Sequence, residues 1–235
     1  MKHALVTGAT KGIGLAISKQ LINEGHFVYM NYGHDESAAK ELTFGHAEYC
    51  LMKADLSLAA SADNLADEMI SKDIQLDCIV LNAGATCRKP FGEVDFDEWN
   101  DVMNVNVNSS FFLCQRLFPI MKEGGAIVLI GSDMGIYPHA LAAYSVSKAA
   151  SHMLAQSLVK EFATRRIRVN AIAPGFIDTD WQLDKPAWLR EKIENKIALK
   201  RFGTADEIAD ACMFLIKNEY MNGAVLQIDG GYAFE

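Results

Sequence analysis

Residues 4–14 read ALVTGATKGIG, a short apolar run that passes directly into a glycine-rich turn. Gly8, Gly12 and Gly14 allow a tight turn and let the backbone approach an anionic ligand closely. The apolar stripe that follows predicts a helix over 12–24, whose N-terminus would offer free N–H groups and a positive dipole to a phosphate. The G-x-x-x-G-x-G spacing departs from the G-x-G-x-x-G fingerprint, so the turn gains its meaning from its place between strand and helix.

The same alternation of short apolar run and helical pattern recurs along the whole chain. Strands are predicted at 4–7, 26–32, 48–54, 77–83, 126–132, 167–173 and 224–229. Their nearly continuous apolar character is typical of strands that are buried on both faces of a parallel sheet. Helices are predicted at 12–24, 59–71, 95–118, 143–163 and 204–217. This order predicts an α/β fold, a doubly wound (Rossmann-type) parallel sheet of about seven strands with helices on both faces. Without an internal repeat or a linker, 1–235 is expected to form a single domain.

Bulk composition narrows the classes of function. Half of the residues are hydrophobic and the formal net charge is −8, which predicts a globular chain and argues against binding to nucleic acid or to an anionic membrane surface. We find neither a long apolar span nor a signal-peptide pattern, so a cytoplasmic protein is expected. The five cysteines form no C-x-x-C pair and the six histidines are scattered, so no metal site is expected.

Polar and small residues follow several of the predicted strands at the point where each strand ends. They are Asp55–Leu56, Asn82–Gly84, Gly131–Ser132 and Pro174–Gly175. Ligands of doubly wound sheets bind beyond the carboxyl ends of the strands. These residues therefore outline one cleft.

The segment AYSVSKAA at 143–150 places Tyr144 four residues before Lys148. On a helix the two side chains share a face. A cation beside a phenol lowers its pKa from about 10. The pair Tyr49 and Lys53 has the same spacing but lies in a predicted strand, where four residues span roughly 13 Å. Only Tyr144 and Lys148 are therefore predicted to act together as a proton donor.

Four motifs in order, TGATKGIG, LNAG, Ser132 with YSVSK, and APGFIDT, resemble the short-chain dehydrogenase/reductase family in its compact single-domain form. The resemblance covers nearly the whole chain and ends with VLQIDGGY. It implies an enzyme that interconverts a carbonyl and an alcohol by hydride exchange with a nicotinamide cofactor.

The resemblance also implies roles for individual residues. Tyr144 would donate the proton, and Lys148 would lower the pKa of Tyr144 and hydrogen-bond the nicotinamide ribose. Ser132 would hold the carbonyl oxygen. Asn106 would anchor a water in a proton relay, with Asn104 and Asn108 as neighbouring alternatives.

For the cofactor, the resemblance implies a set of residues along the cleft. Gly8, Lys11, Gly12, Ile13 and Gly14 would hold the pyrophosphate, Asp55 and Leu56 the adenine, Asn82 and Gly84 the ribose edge, and Ile177 and Thr179 the carboxamide. Tyr32, Ala83, Pro174 and Gly175 complete the set, together with Tyr144 and Lys148.

The end of the second predicted strand bears on cofactor preference. It reads Asn31-Tyr32-Gly33, without a carboxylate for the ribose 2′-hydroxyl before Asp35. Lys11 lies where a cation would meet a 2′-phosphate. NADP(H) is therefore the predicted cofactor, with NAD(H) as the alternative.

The substrate is expected to be a small-molecule carbonyl or alcohol, with an acyl-thioester as one candidate. FIDTD, GTADEIAD and VLQIDGGY most resemble the 3-oxoacyl-(acyl-carrier-protein) reductases. Arg165 matches one carrier-binding arginine, but Glu123, next to Lys122, occupies the place of the other. Sugar, polyol and cyclic-ketone reductases stay open, as does a catalytically silent NADPH-binding regulator.

The long connection, the pocket rim and two of the predicted helices carry further expectations. Residues 175–203 form a long connection that is either a substrate-binding lid or a pair of packed surface helices. Ser132 and Tyr144 are one residue closer together than in many relatives, so the pocket rim at 133–143 is expected to differ.

The small and apolar residues of 95–118 and 143–163 imply a homo-oligomer, a tetramer or a dimer.

Overall fold

The computed structural model describes residues 1–42, 48–58, 60–137 and 141–234. Its strands form one seven-stranded sheet in the order β3-β2-β1-β4-β5-β6-β7, and every neighbouring pair is parallel. This confirms the predicted fold class. The strands are β1 (Lys2–Val6), β2 (His26–Tyr32), β3 (Tyr49–Lys53), β4 (Leu76–Leu81), β5 (Met121–Ile130), β6 (Arg168–Pro174) and β7 (Val225–Ile228).

Helices cover both faces of the sheet and bury one apolar core on each. The first core joins the sheet to α3, α5 and α6, and the second joins it to α1 and α8. None of the helices in the described ranges is long and apolar enough to cross a membrane. The helices are α1 (Gly12–Asn23), α2 (Glu36–Lys40), α3 (Ser61–Ile70), α4 (Phe96–Met103), α5 (Ser109–Leu117), α6 (Ala142–Phe162), α7 (Ala187–Lys196) and α8 (Ala205–Lys217).

The predicted helix 95–118 is interrupted. Between α4 and α5 the chain makes a π-helical turn at Asn104–Asn108. Such turns insert an extra residue into the helix and often occur at functional sites. The helical periodicity on either side conceals this insertion, and for that reason the sequence predicts one continuous helix.

One short helix lies where the sequence predicts none, a second lies in the segment for which helices were one alternative, and β5 begins before its predicted start. Helix α2 begins after Asp35, whose carboxylate accepts the backbone N–H of Ala38. Helix α7 lies within 175–203. Strand β5 begins at Met121, because the polar stretch Lys122–Gly125 bulges between two paired segments instead of ending the strand. Residue 59, where the second predicted helix begins, lies outside the described residues.

The strand order reverses beside β1, which lies between β2 and β4. At such a switch point the connections leave in opposite directions and open a crevice at the carboxyl edge. Asn82 closes the floor of this crevice, because its side-chain amide donates hydrogen bonds to the carbonyls of Thr7 (3.0 Å) and Gly8 (2.9 Å). Gly14 packs directly beneath, where a Cβ would lie 2.2 Å from the Gly8 carbonyl oxygen.

Candidate active site

Two adjoining cavities occupy the carboxyl edge of the sheet, and both reach Gly8, Lys11, Ala83 and Gly84. The substrate-side cavity, of about 250 Å³, lies between the glycine turn, the ends of β4 to β6 and the 175–203 segment. The adenine-side cavity, of about 960 Å³, lies over the ends of β1 to β3.

Nearly all predicted cofactor residues line these cavities. Gly14 differs, because it is buried beneath the turn and supports the turn without forming part of either wall. The substrate-side cavity contains Gly8, Lys11, Gly12, Ile13, Asn82, Ala83, Gly84, Pro174, Gly175, Ile177 and Thr179, and the adenine-side cavity contains Tyr32, Asp55 and Leu56.

The glycine turn fits a dinucleotide phosphate. Gly8 and Gly12 have positive φ angles of 59° and 52°, which glycine adopts most readily. The turn leads into the N-terminus of α1, where free N–H groups favour an anion. Asn31 supports it from below, because its side-chain amide donates to the carbonyls of Met52 (3.2 Å) and Ala54 (3.1 Å) while its side-chain oxygen accepts the Gly8 N–H.

Helix α6 presents Tyr144 and Lys148 to the substrate-side cavity, which also contains Ser132 at the end of β5. The Lys148 ammonium is buried, donates to the Ile130 carbonyl at 2.8 Å and lies 5.6 Å from the centroid of the Tyr144 ring. The Ser132 hydroxyl donates to Asp133 Oδ1 at 3.0 Å and accepts the Met134 N–H. The structure therefore brings together the three side chains predicted to carry the chemistry.

Asn106 lies behind this group and is buried in the π-helical turn. Its side chain accepts the Ala85 N–H at 2.8 Å and donates to the Ala85 carbonyl and to Ser147 Oγ. It thereby ties α6 to the loop after β4. The alternatives point elsewhere, since Asn104 donates to the Ser57 carbonyl and the exposed Asn108 donates to Asn104. Of the three asparagines, the geometry favours Asn106. It does not line the substrate-side cavity itself but holds the loop after β4, which does.

Burial raises the pKa of Tyr144 to about 12, the Ser132 hydroxyl opposes the increase, and the carboxylate of Asp133 adds to it. The lowering of this pKa by Lys148 stays a prediction. Tyr144 keeps its proton at neutral pH.

Burial also lowers the pKa of the Lys148 ammonium, to about 8. His152, one turn further along α6, has a pKa lowered to about 4 by burial and by Lys148. Its neutral ring packs against Gly131 and lies 3.4 Å from the Ser132 backbone N–H. Sequence reasoning missed His152 and Asp133, although a histidine eight residues after the tyrosine on one helical face was a readable signal.

The second Tyr–Lys pair lies on a strand, as predicted. Tyr49 and Lys53 lie on β3, where the Tyr49 hydroxyl donates to the Leu42 carbonyl at 3.3 Å and Lys53 pairs with Glu36 at 2.9 Å.

The 175–203 segment, referred to below as the lid, contains one α-helix, α7, and a 3₁₀ turn at Asp180–Gln182, and its role in covering the substrate stays a prediction. Backbone bonds join Asp178 to Gly203 and Gly203 to Phe176 at its base. A small apolar cluster around Ile193, Ile197 and Phe202 fills its interior. Near the cavity, the centroid of the Trp181 ring lies 6.0 Å from that of Tyr144. Of the rim at 133–143, residues 138–140 lie outside the described residues.

The residues expected to meet a carrier protein are engaged within the chain. Arg165 donates to the carbonyls of Phe118 (2.7 Å) and Pro119 (2.9 Å). Glu123 pairs with Arg166 at 2.9 Å, and Lys122 pairs with Asp77 at 3.1 Å. No free pair of arginines flanks the cavity at this place in the described structure. Within the same residues, no cluster of three or more His, Cys, Asp or Glu side chains could hold a metal ion.

Comparison with known proteins matches residues 8–233 to the family model described as enoyl-(acyl carrier protein) reductase. The chain belongs to the short-chain dehydrogenase/reductase family. It is 36% identical to the uncharacterized oxidoreductase YmfI of Bacillus subtilis, with 98% of both chains covered. It is 33% identical to the 3-oxoacyl-(acyl-carrier-protein) reductase FabG of Staphylococcus epidermidis, again with 98% of both covered.

Among solved structures, a short-chain dehydrogenase from Burkholderia cenocepacia in complex with NADP superposes with a TM-score of 0.92 at 30% identity, covering 99% of this chain and 98% of that one. The family resemblance and the oxidoreductase class predicted from the motifs are thereby confirmed.

Replacing the buried lysine tests its electrostatic environment in this short-chain dehydrogenase/reductase. Lys148→Met should raise the free energy of unfolding at pH 7 by about 2 kcal/mol. The variant no longer buries a charge, and the loss of the hydrogen bond to the Ile130 carbonyl offsets part of this gain. Between about pH 8 and 10.4 the folded wild-type chain gives up its proton before the unfolded chain does. Its stability then rises with pH and the gap to the variant closes.

Chemical denaturation from pH 7 to 10 measures this gap. Lys160→Met, at an exposed position on the same helix, is the matched control and should change little. The buried charge on Lys148 would be contradicted if Lys148→Met were less stable than wild type at pH 7. It would also be contradicted if the difference in stability between the two proteins grew with pH.

Proposed function

We propose that this enzyme reduces a small-molecule ketone to an alcohol with NADPH, and that Tyr144 donates the proton. The observation that carries this proposal is the convergence of Tyr144, Ser132 and Lys148 on a cavity that adjoins the phosphate-binding turn. When bound there, the nicotinamide supplies the hydride. Negative charge develops on the carbonyl oxygen during transfer, and hydroxyl donors fixed beside that oxygen stabilise it.

Each side chain contributes one part of this mechanism. Tyr144 is protonated at neutral pH, so it is ready to act as an acid in the direction of reduction. Ser132 would turn its hydroxyl from Asp133 to the substrate oxygen. Lys148, held by the Ile130 carbonyl, places its charge beneath Tyr144 and next to Gly84, where the cofactor ribose would lie. Asn106 keeps the loop that carries Gly84 and Ala85 in place.

The relative FabG supports a 3-oxoacyl thioester as one candidate substrate. Arg165, however, donates hydrogen bonds to the carbonyls of Phe118 and Pro119, which argues against its use in binding a carrier protein. Sugar, polyol and cyclic-ketone reduction stay as alternatives. A catalytically silent NADPH-binding regulator would have no use for a complete Tyr–Lys–Ser set beside the turn, so we favour an enzyme.

Consumption of NADPH with a panel of acetoacetyl thioesters, diketones, keto acids and keto-sugars tests the reaction. Tyr144→Phe should lower kcat at least 100-fold with a productive substrate, because the proton donor is lost. Its dissociation constant for NADPH should stay within a few-fold of wild type. Tyr220→Phe, at a position 99% exposed, is the control. NADPH binding without turnover of any compound would favour the regulator.

NADPH is proposed over NADH because Lys11 stands at the mouth of the adenine-side cavity. Its ammonium lies 3.4 Å from Asp35 Oδ2 and would move to a 2′-phosphate. The Burkholderia relative crystallised with NADP supports this choice.

Substitution at Lys11 tests the preference directly. Lys11→Ala should weaken NADPH binding about 10-fold, the loss of one charge-assisted bond, with little effect on NADH. Asp35→Asn should strengthen NADPH binding, because it removes a repelling carboxylate. Fluorescence titration of both cofactors measures these changes, with Lys19→Ala on the exposed side of α1 as control. Tighter binding of NADH than of NADPH by the wild type would refute the preference.

We further propose that the chain forms a homo-oligomer through α5 and α6. These helices leave Phe111, Phe112, Val146 and Met153 exposed, with 61% of Met153 accessible. Multi-angle light scattering should give a mass of two or four chains, and Met153→Asp should reduce it. A wild-type monomer at micromolar concentration would contradict this arrangement.

Within each subunit, 1–235 is proposed to act as one domain that binds cofactor and substrate together, with the cytoplasm as its compartment.

A further inference from the structure

The lid side of the substrate-side cavity carries polar side chains for which the proton-transfer chemistry has no use. Thr86 and Arg88 come from the loop after β4, and Gln182 and Lys185 come from the lid. All four line the cavity that contains Tyr144. Their convergence from two separate segments on one wall indicates a second recognition element beside the reacting carbonyl.

The charge on this wall is positive and incompletely paired. Among the described residues Lys185 makes no ion pair, and burial together with Arg88 lowers its pKa. Arg88 is committed elsewhere, because it donates to the Trp181 carbonyl at 2.9 Å and lies 3.9 Å from the largely exposed Asp184. Lys185 is therefore the cation available to a ligand.

Two neighbouring polar atoms also lack partners. Thr86 Oγ1 and Gln182 Oε1 are buried, and neither makes a hydrogen bond within the described part of the chain. Buried polar atoms are nearly always satisfied. The Thr86 hydroxyl can donate to a ligand oxygen, whereas Gln182 Oε1 can only accept a hydrogen bond. Lys185 and Thr86, in the lining of the same cavity, therefore offer donors to an anion, and Gln182 offers an acceptor to a hydroxyl of the same ligand.

The end of the cavity away from the lid carries a negative charge. Asp133 is buried beside Ser132, so a negative group on the substrate would be repelled from the floor and attracted to the lid. At about 250 Å³ the cavity is compact. An anion bound at Lys185 must therefore belong to the same small molecule as the carbonyl, and not to a distant carrier.

We propose that the substrate is a ketone that carries its own anionic group, a carboxylate or a phosphate, and that Lys185 binds this group. The inference rests on the proposed carbonyl reduction and specifies its substrate class. Thr86 donates a further hydrogen bond to the anion, Gln182 Oε1 accepts from a hydroxyl of the substrate, and Arg88 holds the lid so that Lys185 faces the cavity.

Matched substrate pairs with one anionic and one neutral member test the inference: acetoacetate with methyl acetoacetate, 4-oxopentanoate with its methyl ester, and dihydroxyacetone phosphate with dihydroxyacetone. We expect the wild type to favour the charged member of at least one pair by about 10- to 100-fold in kcat/KM, the range for one charge-assisted bond. Preference within the first two pairs would identify a carboxylate, and preference within the third a phosphate. Lys185→Glu should abolish the preference, mainly through KM.

Lys192→Glu, at an exposed position on the lid helix, is the matched control and should keep the preference. Equal use of charged and neutral members by the wild type, or an equal loss for both in Lys185→Glu, would overturn the proposal.

A binding measurement separates this inference from the reaction itself. Calorimetric titration of the NADPH-loaded enzyme with acetoacetate and with inorganic phosphate should detect binding that Lys185→Glu loses. Binding without turnover would support the anion subsite while the proposed reaction fails. Turnover of neutral ketones alone, without binding of either anion, would keep the reaction and reject the subsite.

Discussion

The close approach of the Gly8 carbonyl, the Gly14 backbone and the Asn82 amide is the constraint on which the rest of the molecule depends. It brings the first helix, the first strand and the loop after β4 within hydrogen-bond distance at the point where the sheet reverses direction. A side chain at position 14 would separate these three segments. The crevice for the cofactor, and the loop that Asn106 fastens above it, both start from this contact.

The side chains proposed to carry the reaction are buried, and burial shifts the pKa of two of them. Removing Lys148 from water lowers its pKa, and removing Tyr144 from water raises its pKa. Both shifts follow from the same low-dielectric pocket between α6 and the end of β5. Asp133 and His152, one carboxylate and one neutral imidazole beside Ser132, extend this pocket beyond the three residues that the family motifs mark.

Periodicity was sufficient to predict the parallel sheet and both helical layers, because buried parallel strands and amphipathic helices leave clear patterns, whereas the candidate catalytic residues were predicted from the family motifs. It was insufficient at three places. The π-helical turn keeps the local helical pattern, the bulge in β5 looks like a turn, and α7 is stabilised by a small cluster around Ile193 and Phe202 whose partners are distant in sequence. The pKa of Tyr144 was also beyond the sequence, since a spacing of four residues fixes proximity and leaves desolvation undetermined.

The two ends of the lid lie side by side, because a short parallel bridge pairs Ile177 with Gly203. An insertion or deletion between them therefore adds little loop-closure entropy and does not strain the sheet. We expect the length and side chains of the lid to be replaceable while the cofactor crevice beside Gly8 stays unchanged.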